Sequence, residues 1–281
     1  MATARLFSAR SFRRLARCLG DGLYPPRCDA CGAVGRRLMT PAWPEEAPLN
    51  SAGRGKLAGK GGGLNLCREC AESWQTVGRP QCRCCGVPLV VPAKGDHRCG
   101  DCLQHDRRFG KARSALVYQG AVRRLVHRFK YDHQTWMAGP FAGLLCGVLQ
   151  ELTAVEPVDV LVPVPLHRHR RRQRGFNQAD LLARRMKAHL PEAIELVAEA
   201  LSRPVATAPQ AGLGRRLRRR NVTAAFIVKD PARIRSRHIL LIDDVYTTGA
   251  TADACAEALI RAGAAGVNVL TLARVPGGAK R

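Results

Sequence analysis

The stretch Ile239–Thr251, ILLIDDVYTTGAT, constrains the fold more than any other part of the chain. Its first four residues are apolar without alternation, the pattern of a strand buried on both faces. The strand then meets two adjacent carboxylates, Asp243 and Asp244, and a turn rich in hydroxyls and glycine. In sheets of parallel strands, ligands bind beyond the carboxyl ends, so both acids stand where a crevice is expected. The Tyr246–Thr251 turn leads into a helix N-terminus, where backbone N–H groups, the helix dipole and Thr hydroxyls can cradle a phosphate. The carboxylates would repel that phosphate, so they must face hydroxyls or a metal ion. A phosphorylated sugar satisfies both halves.

The residues around this stretch alternate between strand and helix. SALVYQG is a short strand, and VRRLVHRFKY places Val122, Leu125, Val126 and Phe129 at helical spacing. GPFAGLLCGVLQEL predicts a largely buried helix beginning near Pro140, and VDVLVPV a central strand. A helix from about Asn177 to His189 and a strand near Ile194–Val197 follow. TADACAEALIRAG predicts a helix closed by Gly263, and GVNVLTLAR a final strand. Strands joined by crossover helices make an α/β domain with a mainly parallel sheet.

The N-terminal part is different. Ten of the 12 cysteines precede residue 103, and eight form four C-x-x-C pairs: Cys28/Cys31, Cys67/Cys70, Cys82/Cys85 and Cys99/Cys102. Two cysteines three apart on a tight turn hold one side of a tetrahedral metal, and two such turns complete the site. Eight cysteines therefore predict two structural Zn2+ ions. Sequential or crossed pairing of the turns is left open by the spacing. A disulfide framework would need an oxidising compartment, and no export signal is evident. Glycine follows the first and third pairs, where a metal knuckle needs unusual backbone angles. The Gly-rich, acid-free stretch at about 51–65 is expected to be a flexible insert. Cys84 is a bystander or an alternative ligand, and Cys18, Cys146 and Cys255 belong to apolar surroundings.

Composition narrows the partners. Forty-six Lys and Arg against 22 Asp and Glu give a formal charge of +24, which favours polyanions: nucleic acid, a phosphorylated small molecule, or both. No apolar run approaches the roughly 20 residues of a membrane-spanning helix. The basic segment 1–22 resembles a transit peptide in composition; the preferred reading is an amphipathic helix with Leu6, Phe12, Leu15 and Leu19, in a cytoplasmic protein. Boundaries follow at 1–22 for this helix, 23–106 for a double zinc ribbon and 107–277 for the α/β domain.

LLIDDVYTTGAT resembles the phosphoribosyl-pyrophosphate (PRPP) motif of type I phosphoribosyltransferases. VPVPLHRHRRRQRGFNQADLLA, then RRLRRRNVTAAF, then that motif, all behind cysteine-pair ribbons, is similar to the ComF family, linked with competence. The likeness extends from about Tyr24 to Arg274; the Gly-rich insert is its main departure. It implies a type I phosphoribosyltransferase domain behind a double zinc ribbon. Asp243 and Asp244 would hold the ribose hydroxyls. Thr247, Thr248, Gly249, Ala250 and Thr251 would take the 5′-phosphate, with Val245 and Tyr246 completing the motif. Pro165, Arg174, Gly175, Asn177 and Gln178 would form a pyrophosphate loop, Arg174 being the foremost of its arginines and Gly175 opening the next helix.

A mobile lid would carry Thr207, Gln210, Arg216, Arg220 and Asn221, with Arg216 and Arg220 over the leaving group. Lys130 and Tyr131 are either substrate contacts or a solvated helix end. The expected ligands are PRPP with Mg2+, or ribose 5-phosphate, and no nucleophile or general base is evident. The alternative is a basic module handling single-stranded DNA beside competence-machinery proteins, with PRPP regulatory or vestigial. The 5% aromatic content offers that alternative little for stacking bases.

Overall fold

The computed structural model describes residues 25–34, 38–40, 63–89, 95–153, 156–204 and 226–277. The segment 1–22, residues 51–62 of the Gly-rich stretch, and Thr207, Gln210, Arg216, Arg220 and Asn221 lie outside the described residues.

The described elements run as follows. A short pair, β1 (Leu38–Met39) and β2 (Leu66–Cys67), precedes α1 (Arg68–Glu72) and α2 (Gly100–Gln104). Then come β3 (Ala112–Val117), α3 (Gly120–Tyr131), α4 (Ala138–Thr153), β4 (Val160–Pro163), α5 (Arg168–Arg174) and α6 (Gln178–Lys187). The chain continues with β5 (Glu195–Leu196), β6 (Leu201–Ser202), β7 (Ile227–Val228), β8 (His238–Tyr246), α7 (Ala250–Arg261) and β9 (Gly266–Arg274).

Five strands form one sheet in the order β3-β9-β8-β4-β5, and every neighbouring pair is parallel. The continuous apolar runs on β4 and β8 follow from helices covering both faces. Leu240 and Ile242 of β8 pack into the layer of α3, α4 and α6, with Phe129, Phe141, Leu145 and Met186. Ile239 and Leu241 point the other way, onto Cys255 and Leu259 of α7. β4 continues through α5 into α6 on the first face, whereas its neighbour β8 continues into α7 on the second. Adjacent strands whose connections part to opposite faces open a crevice at their carboxyl ends.

The run Arg168–Arg174 was expected as a loop and forms a helix instead. Arg is a good helix former, and His167 caps the start, its Nδ1 accepting from the His169 N–H at 3.3 Å. Gly175 closes this helix rather than opening the next; its φ of +78° is the left-handed terminator that a residue with a Cβ resists. Asn177 caps α6, accepting from the Ala179 N–H at 3.1 Å.

The cysteine pairs assemble sequentially into two tetrads, Cys28/Cys31/Cys67/Cys70 and Cys82/Cys85/Cys99/Cys102, each with its sulfurs within 4.8 Å of one another. Cys31–Cys67 and Cys85–Cys99 sulfurs stand 3.8 and 3.7 Å apart. A tetrahedral zinc with Zn–S of about 2.3 Å requires about 3.8 Å, so the donor set fits the ion.

The tetrads are copies of one design. In each, the first cysteine donates its N–H across the turn, Cys28 to the Ala33 carbonyl at 2.9 Å and Cys82 to the Val87 carbonyl at 2.8 Å. In each, the third cysteine caps a short helix and its N–H reaches the first sulfur at 3.3 Å, Cys67 to Cys28 and Cys99 to Cys82. Gly32 and Gly86 carry φ of +78° and +70°, as the spacing predicts. Cys84 is buried outside both tetrads, and its carbonyl accepts the Ala112 N–H at 2.7 Å.

This module also covers the outer edge of the sheet. Val77 donates to the Ala115 carbonyl at 3.0 Å and Val117 to the Gln75 carbonyl at 2.9 Å, so β3 presents few open backbone groups. Metal analysis of protein purified under reducing conditions should return two zinc equivalents per chain. Cys28→Ser should leave one equivalent and lower the melting temperature, because structural zinc contributes folding free energy. A chain that folds fully with no bound metal would contradict this.

Candidate functional site

Strand geometry alternates side chains between faces, so the two neighbouring acids part company. Asp244 follows Leu240 and Ile242 toward α3, where Lys130 Nζ meets its Oδ1 at 2.8 Å. Both side chains are largely enclosed, 16% and 11% exposed, so removing either partner would leave the other charge buried and uncompensated. Asp243 follows Ile239 and Leu241 toward α7. It is half-buried, and its Oδ1 accepts the Asp244 N–H at 2.8 Å. Burial, followed by the charge of Asp244, pushes the Asp243 carboxyl up to about 7, against the partial relief of Lys130 and Arg203.

The turn beyond them is built around Gly249. Its φ is +79°, and a Cβ added there would lie 2.1 Å from the Tyr246 Oη. Tyr246 itself is buried, edge-on to Phe109 with ring centroids 6.4 Å apart, and its hydroxyl has no hydrogen-bond partner among the described residues. The glycine is therefore demanded from inside the protein, by the tyrosine below the turn. Thr247 and Thr248 are exposed, Val245 and Ala250 are half-buried, and Thr251 lies in the first turn of α7. Thr248 Oγ1 accepts the Ala250 N–H at 3.4 Å. The turn thus presents hydroxyls and a helix N-terminus above the sheet.

Across the crevice, Arg174 is buried rather than displayed. Its guanidinium donates to Gln178 Oε1 at 3.0 Å and to Tyr131 Oη at 2.9 Å. Arg168, Arg170, Arg171 and Arg172 are exposed. Asn177 Nδ2 donates to the Val164 carbonyl at 3.1 Å, tying the start of α6 to the chain leaving β4, with Pro165 half-buried beside it. The two faces meet at the end of α3: Lys130 reaches Asp244 while Tyr131 receives Arg174. These two residues are thus built into the site and are not merely a solvated helix end.

Two arginines join the site without having drawn notice in the sequence. Arg203 shares the Asp243 environment and lies 5.3 Å from the Phe226 ring centroid. Arg107 donates to the Thr248 carbonyl at 3.3 Å across 141 positions of chain. Neither stands in a motif or a periodic face, so local pattern carried no signal for them.

The parallel sheet, its topological switch and the acid–turn end of β8 define an open α/β domain, joined to a double cysteine-tetrad module. No family model matches the chain. It is 34% identical over 219 residues to the DNA utilization protein YhgH of Escherichia coli strain K12, covering 76% of this chain and 92% of that protein. It is 30% identical to Competence protein F of Haemophilus influenzae, covering 74% and 90%. The chain belongs to the ComF family. Among solved structures, orotate phosphoribosyltransferase of Mycobacterium tuberculosis is 18% identical, covering 49% of this chain and 62% of that one. Its TM-score of 0.28 gives that likeness no weight.

The Asp243 environment predicts a pH signature. The folded carboxyl holds its proton to about pH 7, whereas an unfolded one releases it near the ordinary value of 3.8. Between these values the folded state binds more protons, so this residue's contribution to stability falls as pH rises and levels off above about 7. Urea melts of Asp243→Asn should lack that decline, and the variant should be more stable than the parent at pH 8. Gly249→Ala should lower stability on the order of 1–3 kcal/mol through backbone strain alone, with the Tyr246 clash adding to it. Parallel melting curves that match the parent would refute both readings.

Proposed function

We propose that this chain binds PRPP, or ribose 5-phosphate, in the crevice between the carboxyl ends of β4 and β8, and transfers the phosphoribosyl group to an acceptor. The observation that carries this reading is the geometry of the β8 end. A turn that suits a phosphate follows directly on two acids with separate environments, at a switch point of the sheet. Asp243 and Asp244 would receive the ribose hydroxyls, and Lys130 would hold Asp244 in place. Thr247, Thr248, Gly249, Ala250 and Thr251 would surround the 5′-phosphate. Mg2+ would supply charge neutralisation on the diphosphate.

In the transfer step, the bond from the anomeric carbon to the diphosphate breaks and pyrophosphate leaves with the electron pair. The acceptor atom forms the new bond and loses a proton to solvent. The chain's contribution is positioning and stabilisation of the departing charge. The exposed α5 arginines would face the diphosphate, with Arg174 holding α5 to α3.

A second reading has one observation in its favour. The fold sets Tyr131, 46% exposed, against Arg174 of the arginine helix, and leaves Trp136 44% exposed five residues further on, rings that could stack bases on a basic surface. The names of the relatives, DNA utilization protein and Competence protein F, favour a part in DNA handling for this chain. No helix among the described residues is long and apolar enough to cross a membrane.

Thermal melts with millimolar PRPP and Mg2+ test the first reading. A ligand at 100 times its Kd stabilises by about 2.7 kcal/mol, and the melting temperature should rise accordingly. Asp244→Asn should remove most of that rise, and ribose 5-phosphate should give a smaller one. Arg174→Ala should weaken PRPP more than ribose 5-phosphate. Loss of oligonucleotide affinity in these variants, with no response to PRPP in the parent, would sink the transferase reading in favour of the second.

A further inference from the structure

The two tetrads are alike internally but attach to different places. The first docks on the flank of α3: Arg124 Nη2 lies 3.2 Å from Cys70 Sγ, and Arg128 Nη1 donates to the Asp29 carbonyl at 2.7 Å. The second lies under the turn that follows β8. Arg113 Nη1 donates to the Cys82 carbonyl at 3.4 Å and to the Arg83 carbonyl at 3.3 Å. Arg274 donates to the Cys85 carbonyl while its guanidinium sits 5.1 Å from the Tyr246 ring centroid. Tyr246 is the residue on which Gly249 rests.

The segment leaving α2 completes the arrangement. Asp101 stands next to Cys102 on α2 and forms an ion pair with Arg107, whose side chain is only 7% exposed. Arg107 in turn donates to the Thr248 carbonyl at 3.3 Å. Its neighbour Arg108 donates a backbone N–H to Asp253 Oδ1 at 2.6 Å, in the first turn of α7. Both sides of Gly249 are therefore held from one short segment. A trans peptide unit is planar, with its carbonyl and its N–H pointing in opposite directions. Holding the Thr248 carbonyl toward Arg107 turns the Gly249 N–H away from Arg107.

We propose that Arg107 is a positioning residue that sets the Thr247–Gly249 turn for phosphate, with the metal-ordered helix α2 as its anchor. This rests on the sugar-phosphate reading for its ligand but not for its geometry. The consequence is a division of labour: the second tetrad controls the phosphate turn, and the first does not. Sequence distance hides the link, since the arginine and its carbonyl partner are 141 residues apart.

Hydrogen exchange by mass spectrometry on the full, metal-loaded chain, together with titration by inorganic phosphate, tests this. In Arg107→Ala, amides of the 247–250 segment should exchange about tenfold faster or more, and phosphate affinity should fall by a similar factor, as expected for losing a hydrogen bond from a charged donor. Arg107→Lys keeps the charge opposite Asp101 but loses the fork, and should fall between the two. Asp101→Asn should loosen the same segment to a smaller degree. Arg124→Ala, which touches only the first tetrad, should leave that segment unchanged. An unaltered 247–250 segment in Arg107→Ala, or faster exchange spread evenly over β8 and β9, would overturn the proposal. Should Arg107→Ala fail to fold, Asp101→Asn decides by the same criterion. A parent that ignores phosphate while its turn loosens in Arg107→Ala supports the positioning role and removes the sugar-phosphate ligand.

Discussion

Two carboxylates end a strand that is buried on both faces, and much of the molecule is arranged around the cost of keeping them there. Side by side in sequence they would repel; on a strand they point to opposite faces. Asp244 meets Lys130 at 2.8 Å, while Asp243 forms no such ion pair among the described residues and, under burial and the charge of Asp244, keeps its proton up to about pH 7. A buried carboxylate without a partner costs several kcal/mol, which four fully buried Ile and Leu residues on the same strand outweigh at roughly 1.5–3 kcal/mol each. The strand can thus carry polar chemistry near its carboxyl end because the preceding run Ile239–Ile242 is wholly apolar and buried.

That arrangement gives α3 its importance. Its apolar face, with Leu125, Val126 and Phe129, is sealed in the core, so its last turn is held in place. Lys130 and Tyr131 leave that turn in different directions, one to the β8 acid and one to Arg174 on α5. A single helix end therefore couples the two strands that flank the crevice. The first tetrad braces the same helix from outside through Arg124 and Arg128.

The cysteine module is more than an appendage in this light. Its backbone covers the β3 edge, and its buried cysteines share core clusters with the sheet residues. Metal sites of this kind supply rigidity where a short chain segment has little core of its own. Arginines tie the module to the sheet and its turn: Arg113 and Arg274 grip knuckle carbonyls, and Arg107 grips the Thr248 carbonyl. Part of the high arginine content is thereby structural, since a guanidinium offers several donors in a fixed fork and suits backbone carbonyls at buried joints.

How much was legible beforehand depends on the range of the signal. The five strands of the main sheet and the helices α3, α4, α6 and α7 followed from apolar patterning, because a residue's face is decided by its neighbours a few positions away. The C-x-x-C pairs and the acid–turn motif were legible for the same reason: cysteine knuckles and glycine turns are local shapes with local residue demands. Expectation failed at Arg168–Arg174, where a run of charge suggested a loop and helix propensity with a His167 cap prevailed. What only the tertiary structure decided were the partners across long separations. These include the sequential pairing of the tetrads, Lys130 on Asp244, Tyr131 and Gln178 on Arg174, and Arg107 on Thr248. Single charged side chains leave no periodic trace, and their meetings are set by how strands order in the sheet, which local pattern does not encode.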